Sequence, residues 1–230
     1  MKPIAIIKAG TTDAHLREAY GDFEDWTARS TGLPGHAFTI LNVQNIDKWQ
    51  NTFSYSAIIV TGSHSDVTER LDWMPRLESF VRAAQQQGIP LLGICFGHQL
   101  LANAFGGRVE NNPLGAEYGA VTVELTENGQ NNALFKDVPQ TFRAFMSHRQ
   151  TVVRLPENAV RLAVSPRDKN AAFFLPPFVW GVQFHPEFDR RIMKHYLKNH
   201  YHISDADSSS YLSDTASATK IMHNFVSLRT

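Results

Sequence analysis

The most reactive side chain in the 230-residue sequence belongs to its single cysteine, Cys95. It lies between Gly93 and Gly97, after an apolar run at residues 89–94 and before apolar residues that recur at helical spacing. This pattern predicts a nucleophile on a sharp strand-to-helix turn, where small neighbours let the strand and the helix approach each other. The N–H groups at the start of such a helix favour the thiolate over the thiol. The alternative is a cysteine that serves only as a small buried apolar side chain.

A second polar cluster, H-P-E, follows the predicted strand at residues 178–184 and contains His185 and Glu187. A cysteine becomes an efficient nucleophile when a histidine accepts its proton and a carboxylate fixes the tautomer of that histidine. Residues two apart in an extended segment face the same side, so Glu187 can hold one imidazole nitrogen while the other faces sulfur. We therefore expect Cys95, His185 and Glu187 to be the catalytic residues of an acyl-transfer reaction.

Acyl transfer also needs N–H donors for the negative oxygen that develops on the substrate. The N–H of Phe96, directly after the cysteine, is one expected donor of this oxyanion hole. The other is the N–H of Gly62 or Ser63, because their loop follows the apolar run at residues 55–60 and so lies at the carboxyl edge of the predicted sheet. His98 is expected to line the edge of the same pocket.

The elements that must position these residues alternate between strand and helix in the first half of the chain. We predict the α/β class: one three-layer, flavodoxin-like domain over residues 1–230, with a mostly parallel central sheet, helices on both faces and antiparallel additions. The predicted elements of this half are strands at residues 4–8, 36–41, 55–60 and 89–94 and helices at residues 13–23 and 72–87.

The second half of the chain has a different pattern. Short alternating segments between residues 108 and 164 predict antiparallel strands, and residues 171–184 predict a hairpin. Two amphipathic helices follow at residues 189–202 and 216–228. The segment at residues 204–219, rich in Ser, Asp and Ala, predicts a mobile surface loop, with a lid as the alternative.

The composition of the chain limits the kinds of partner that we expect the protein to bind. Lysine plus arginine residues and aspartate plus glutamate residues number 22 each, so the formal net charge is zero. We expect no global field that would attract nucleic acid or an anionic membrane, and no apolar run reaches the roughly 18 residues of a membrane span. The single cysteine and the histidine spacing predict neither a disulfide nor a metal site, and no cofactor is expected. The expected compartment is the cytoplasm, where a thiol stays reduced.

Two motifs resemble those of the class I (triad) glutamine amidotransferases, and the resemblance covers nearly the whole chain. Residues 93–99 read G-I-C-F-G-H-Q, and residues 181–187 read G-V-Q-F-H-P-E. The resemblance implies a Cys95–His185–Glu187 triad that attacks the side-chain amide of glutamine, forms a γ-glutamyl thioester and releases ammonia. Water then frees glutamate.

The same resemblance implies contacts to the substrate from Gln99 and from the segment that contains Ser147, His148 and Gln150. In family members this segment ends in an aspartate, which receives the ammonium of the substrate. Here Gln150 stands in its place, and loss of the carboxylate weakens a charge-assisted contact. The loop at residues 115–119, G-A-E-Y-G, resembles a loop that lies beside the site in family members.

Four functional interpretations follow. The leading one is a glutamine-hydrolysing enzyme similar to the glutaminase half of GMP synthetase, either alone or as the subunit of a synthetase that accepts the ammonia. The second is a γ-glutamyl peptidase that acts on glutathione-like conjugates. The third is a regulatory or interaction protein on an inactive scaffold. An α/β-hydrolase with cysteine in place of serine is disfavoured, because in those enzymes the acid precedes the histidine.

Overall fold

The computed structural model describes residues 2–49 and 54–228. In this part of the chain the strands are β1 (Ile4–Lys8), β2 (Phe38–Asn42), β3 (Ala57–Val60), β4 (Leu91–Ile94), β5 (Arg108–Asn111), β6 (Glu117–Leu125), β7 (Thr141–His148), β8 (Gln150–Arg154), β9 (Val160–Val164), β10 (Ala172–Leu175) and β11 (Val179–Val182). The α-helices are α1 (Ala14–Tyr20), α2 (Phe23–Ser30), α3 (Trp73–Gln86), α4 (Phe96–Ala104), α5 (Glu127–Gln130), α6 (Arg190–Asn199) and α7 (Ala216–Ser227).

The central sheet has the strand order β2-β1-β3-β4-β11-β10-β9-β6-β7. Neighbours from β2 to β11 are parallel, and those from β11 to β7 are antiparallel. The first four strands follow the flavodoxin-like order 2-1-3-4. The predicted fold class, a mostly parallel α/β sheet with antiparallel additions, is confirmed.

One part of the antiparallel prediction is wrong. The strands β5 and β8 pair with each other in a separate two-stranded sheet instead of extending the central one. Gly107, just before β5, makes this close approach possible. A Cβ added there would lie 2.7 Å from the carbonyl oxygen of Ala102 and 2.8 Å from that of Arg154. Glycine therefore lets the small sheet lie directly against the end of α4.

The first helix is also shorter than predicted. The expected helix through Phe23 ends at Tyr20, and a second helix begins at Phe23. Gly21 has φ 85°, a left-handed conformation that favours glycine. Asp22 then caps α2, and the side chain of Asp25 accepts a hydrogen bond from the backbone N–H of Asp22. The two helices meet at a turn that the apolar periodicity did not reveal.

Both faces of the parallel strands are covered, as a buried parallel sheet requires. Ile59 and Leu92 lie in a core cluster with Ile221 and Phe225 of α7. On the opposite face, the core combines apolar residues of the strands with those of α3 and α4. Examples from this second cluster are Ile58, Val60, Leu91, Leu77, Val81, Leu100 and Leu101. Each fully buried Leu or Ile contributes about 1.5–3 kcal/mol to stability.

Part of the segment at residues 204–219, which was predicted to be a mobile surface loop, contacts the central sheet. It contains a 3-10 turn at Ser208–Tyr211, in which Ser208 is buried. Tyr211 lies over Gly119 of β6, where an added Cβ would be only 2.9 Å from the Tyr211 Cβ. The ring of Tyr118 stacks on Tyr201 at 4.2 Å between centroids. Within this segment, Tyr211 contacts Gly119 and Tyr118 of β6, while most of residues 204–210 are exposed.

Within residues 2–49 and 54–228, no helix has the length and apolar character needed to cross a bilayer.

Candidate active site

Cys95 lies on the turn between β4 and α4, with φ 51° and ψ −102°. A residue with a side chain rarely adopts this conformation, which costs about 1–3 kcal/mol and persists only where the surroundings enforce it. The N–H of Cys95 donates to the carbonyl of Val182 at 2.8 Å. A Cβ added at Gly93 would lie 2.3 Å from the carbonyl oxygen of Gly97, and one at Gly97 would lie 2.3 Å from that of Val60. A side chain at either position would clash with a backbone carbonyl oxygen, so both positions require glycine.

His185 lies at the end of β11, next in the sheet to the strand that carries Cys95. Its backbone N–H donates to the carbonyl of Phe145 at 2.8 Å, which fixes the start of the H-P-E segment. The Nδ1–H of His185 donates to Oε1 of Glu187 at 2.8 Å, and both side chains are buried. Phe188 stacks on the imidazole at 3.9 Å between ring centroids. The ring orientation is thus fixed by one hydrogen bond and one aromatic contact.

The charges around His185 decide its protonation state. Burial by itself lowers the pKa of the imidazole, but the carboxylate of Glu187 and the hydrogen-bonded side chain of Cys95 outweigh burial and raise the pKa to about 10. The imidazolium form is therefore stabilised at neutral pH, next to the sulfur. Oε2 of Glu187 is buried and has no hydrogen-bond partner among the described residues. Within this part of the chain, His185 is therefore the one side chain that is hydrogen-bonded to the carboxylate.

Two of the predicted oxyanion donors, Phe96 and Ser63, line the same cavity as Cys95. Phe96 is the first residue of α4, so its N–H has no partner within the helix. Gly62 lies beneath the imidazole, where an added Cβ would be 3.1 Å from Cε1 of His185. Of the two alternatives for the second donor, Ser63 is the one that faces the cavity.

A cavity of about 350 Å³ opens above Cys95. It brings together Cys95, Phe96 and Ser63 with Gln99, Ser147, His148 and Gln150, all of which were predicted to belong to the site. The carbonyl of Ser147 lies 3.7 Å from Sγ of Cys95. Its hydroxyl is 2.9 Å from the phenol of Tyr201, so the end of β7 is tied to the residues that follow α6.

Gln99 and Gln150 face the cavity in different hydrogen-bonding states. Nε2 of Gln99 donates to the carbonyl of Gln150 and to Oε1 of Gln183, each at 2.9 Å. Both of its amide protons are thus used within the protein. Nε2 of Gln150 lies 2.6 Å from the hydroxyl of Thr68 and 3.2 Å from Oδ1 of Asn111. Oε1 of Gln150 is buried and has no hydrogen-bond partner in the described part of the chain, while Gln150 as a residue belongs to the cavity wall.

His148 lies beside these residues, but both of its ring nitrogens face protein acceptors. Nδ1 is 2.8 Å from the carbonyl of Gln150, and Nε2 is 3.3 Å from the carboxylate of Glu117. Burial raises the pKa of Glu117, but hydrogen bonds from His148 and Ser165 outweigh it and hold that pKa below its ordinary value. The ring therefore supports the carbonyl of Gln150 and has no free nitrogen for a ligand. Glu117 belongs to the loop that was predicted to lie beside the site.

His98 does not line the pocket edge as expected. It is completely buried, and its ring lies 5.0 Å from that of Phe173. Gly181 leaves room for it, since an added Cβ there would be 2.6 Å from Nδ1 of His98. Burial lowers the pKa of this imidazole to about 3, so it is neutral. His98 is a packing residue between α4 and the sheet.

Nothing in the sequence indicated that residues of α6 and the segment after it line the cavity, as Tyr196, His200 and Tyr201 do. The hydroxyl of Tyr196 is 2.9 Å from Nε2 of His64 and 3.1 Å from the hydroxyl of Thr12. The ring of His200 stacks on Tyr196 at 4.8 Å. In the sequence, Tyr196 fits the apolar face of an amphipathic helix, so its type and spacing gave no signal of a second role.

Cys95 and the hydrogen-bonded pair of His185 and Glu187 thus follow neighbouring strands of a flavodoxin-like sheet, and comparison with known proteins gives the family. The model of the family described as glutamine amidotransferase class-I matches residues 15–203. The chain belongs to this family.

Two relatives differ in their described activities. The chain is 35% identical over 147 residues to a GMP synthase [glutamine-hydrolyzing] of Aeropyrum pernix, which covers 62% of this chain and 27% of the synthase. It is 32% identical over 141 residues to gamma-glutamyl peptidase 4 of Arabidopsis thaliana, which covers 60% of this chain and 56% of the peptidase. The chain thus spans about a quarter of the length of the synthase and just over half of that of the peptidase.

A solved structure shares the fold. The crystal structure of a glutamine amidotransferase from Methylobacillus flagellatus has a TM-score of 0.77 and 24% sequence identity, and the match covers 99% of this chain and 93% of that one.

Proposed function

We propose that this protein hydrolyses a γ-glutamyl amide, with glutamine as the leading substrate, through Cys95, His185 and Glu187. The observation that carries the proposal is the position of His185. Its imidazole is hydrogen-bonded to Glu187 at 2.8 Å, and the side chain of Cys95 is among the groups that raise the pKa of His185. A histidine between a thiol and a carboxylate is the arrangement that cysteine-dependent acyl transfer needs.

In the first half of the proposed reaction, Sγ of Cys95 attacks the γ-carbonyl carbon while the thiol proton resides on His185. The oxygen becomes negative and accepts hydrogen bonds from the N–H groups of Phe96 and Ser63. The C–N bond then breaks, and the leaving nitrogen takes the proton from His185. With glutamine the products of this half are ammonia and a γ-glutamyl thioester on Cys95.

In the second half, water attacks the thioester and gives a proton to His185. The C–S bond breaks, glutamate leaves, and the thiolate and imidazolium are restored. Glu187 stabilises the imidazolium at both stages, since its Oε1 stays bonded to Nδ1. The backbone conformation of Cys95, with φ 51°, fixes the direction of its side chain throughout.

The glutamyl end of the substrate is proposed to bind at Gln99, Ser147 and Gln150. The free Oε1 of Gln150 supports an acceptor role toward the ammonium of the substrate. His148 holds the Gln150 carbonyl from behind and is assigned a positioning role. Because Gln150 is neutral, this contact lacks the charge that would strengthen it, so we expect weak selectivity for free glutamine over larger γ-glutamyl compounds.

A γ-glutamyl peptidase is the second candidate. The neutral Gln150 favours it, and so does the resemblance to gamma-glutamyl peptidase 4 of Arabidopsis thaliana. The chemistry is the same, and only the leaving amine differs. An inactive regulatory scaffold is the third, and the intact His185 contacts argue against it.

A synthetase subunit is the proposed partner if ammonia is the useful product. The GMP synthase relative of Aeropyrum pernix supports this proposal, since this chain aligns with 27% of it. Glutamine turnover that rises on addition of one purified synthetase subunit would support the partnership. Turnover that does not depend on any such subunit favours a free-standing hydrolase.

The test of the reaction is covalent labelling. A glutamine-like diazoketone should add to Cys95, and peptide mass spectrometry should find the adduct at that residue alone. Glutamine should protect the thiol in proportion to its concentration. An adduct elsewhere, or labelling that glutamine does not slow, would contradict the proposal.

A further inference from the structure

A second cavity of about 280 Å³ adjoins the one above Cys95. The two cavities share the wall formed by Ser63, His64 and Ser65. The second cavity continues along the carboxyl ends of β1 and β2, where its lining includes Gly10, Thr11, Asn42, Gln44 and Leu71.

The sheet order places this cavity on the far side of the shared wall from the sulfur. β3 lies between β1 and β4, and neighbouring strands are about 4.8 Å apart. The end of β1 is therefore about 10 Å from the end of β4, which is the length of roughly three extended residues. A Cβ at Gly10 would lie 2.6 Å from Oγ of Ser63, so the loops after β1 and β3 are in contact.

The position of His185 indicates on which side the amine departs. Its imidazole reaches across to the loop after β3, where Cε1 lies 3.1 Å from the position of an added Cβ on Gly62. In the proposed reaction this imidazole protonates the leaving nitrogen. The leaving nitrogen is therefore expected beside the loop after β3, in which Ser63, the residue after Gly62, belongs to the wall that the two cavities share. The glutamyl end, in contrast, is proposed to lie toward Gln150.

The lining of the second cavity suits a neutral amine with an apolar group. Its one charged side chain in the described ranges is Lys8, whose ammonium is already bonded to Asp22 and Glu24, each at 2.7 Å. The other polar groups are hydroxyls, amides and an imidazole. Leu71 is 40% exposed and contributes an apolar surface.

We propose that the second cavity is a subsite for the leaving amine, through which the protein also accepts γ-glutamyl amides of amines larger than the ammonia released from glutamine. This inference rests on the proposed function and deepens it. Ammonia would leave the whole cavity empty, whereas an amine with neutral hydrogen-bonding groups and an apolar side would fill it.

The experiment compares kcat/KM for γ-glutamyl-p-nitroanilide with kcat/KM for glutamine. Gln44→Trp fills the second cavity from an exposed position on the turn after β2. We expect the anilide-to-glutamine ratio to fall about tenfold or more, as for steric loss of a hydrophobic subsite. Gln86→Trp, at the exposed end of α3, is the matched control and should keep the wild-type ratio.

Leu71→Trp fills the cavity from its opposite side and serves if Gln44→Trp does not fold. An unchanged ratio in the folded variants would overturn the subsite while wild-type hydrolysis of either substrate upholds the proposed function. A wild-type enzyme that cleaves neither compound would overturn the proposed function itself, and the subsite with it.

Discussion

The parallel and antiparallel halves of the sheet contribute different parts of the site. The parallel half carries the groups proposed for chemistry: Ser63 after β3, Cys95 after β4 and His185 after β11. The antiparallel half and the small sheet carry two of the three groups proposed for recognition, Ser147 and Gln150, and the third, Gln99, lies on α4. The parallel strands all end at the same edge of the sheet, so the short loops that follow them lie next to one another. The recognition groups reach the site only because the chain turns back between β7 and β8.

This division predicts a large loss of rate for changes at the parallel edge. Cys95→Ala should lower kcat for glutamate release by about 10⁴-fold or more, since no other described side chain replaces the nucleophile. The variant should unfold at a temperature close to that of the wild-type protein, as measured by circular dichroism. If folded Cys95→Ala turned over substrate at the wild-type rate, the groups at the parallel edge would not be the ones that carry out the reaction.

Glu187→Gln should have the next largest effect. The amide keeps the shape but removes the charge that stabilises the imidazolium of His185, and we expect kcat to fall about 10²–10⁴-fold. Glu127→Gln, at an exposed position of α5, is the matched control and should retain full activity. A glutaminase assay over a range of substrate concentrations separates kcat from KM. A change in KM alone would assign Glu187 to binding instead.

The charge state of His185 predicts a dependence of stability on pH. Its pKa is raised from 6.5 to about 10 in the folded protein. Its contribution to the free energy of unfolding is therefore fully present below about pH 6.5 and is lost as the pH rises toward 10. Urea unfolding should show the stability gap between wild type and His185→Gln narrowing over this range. The exposed His15→Gln variant should show no such trend, and a gap that widens would contradict the assigned charge.

The smallest effect is expected at the recognition side. Gln150→Asp places a carboxylate where the free amide oxygen now lies, and a charge-assisted contact to the substrate's ammonium should lower KM for glutamine up to about tenfold with kcat little changed. Gln140→Asp, an exposed control, should leave KM unchanged. A fall in kcat without a change in KM would show that this residue acts on the reacting groups, which would break the division between the two halves.

The sequence predicted the parallel half of the molecule more completely than the antiparallel half. The turn at Cys95 could be predicted because it demands small residues at fixed spacing. The structure confirms this demand, since neither Gly93 nor Gly97 has room for a Cβ. The separate pairing of β5 with β8 could not be predicted, because alternation of apolar residues indicates a strand but not the strand with which it pairs.

The side-chain network of the cavity was predicted only in part. The hydrogen bonds that Gln99 and His148 make to Gln150, Gln183 and Glu117 were not predicted. Such partners come from strands distant in the sequence, and no local pattern specifies them. Tyr196 was missed for a related reason, since one side chain serves both the packing of α6 and the cavity wall.

The backbone conformation of Cys95 has a consequence for protein engineering. A φ of 51° fixes where the Cβ of residue 95 points before any side chain is chosen. The backbone therefore sets the position of the side chain at residue 95, whichever atom that side chain carries. Exchange of sulfur for oxygen or selenium at this residue would compare three elements on one unchanged framework, and differences in rate would report on the intrinsic reactivity of the nucleophile.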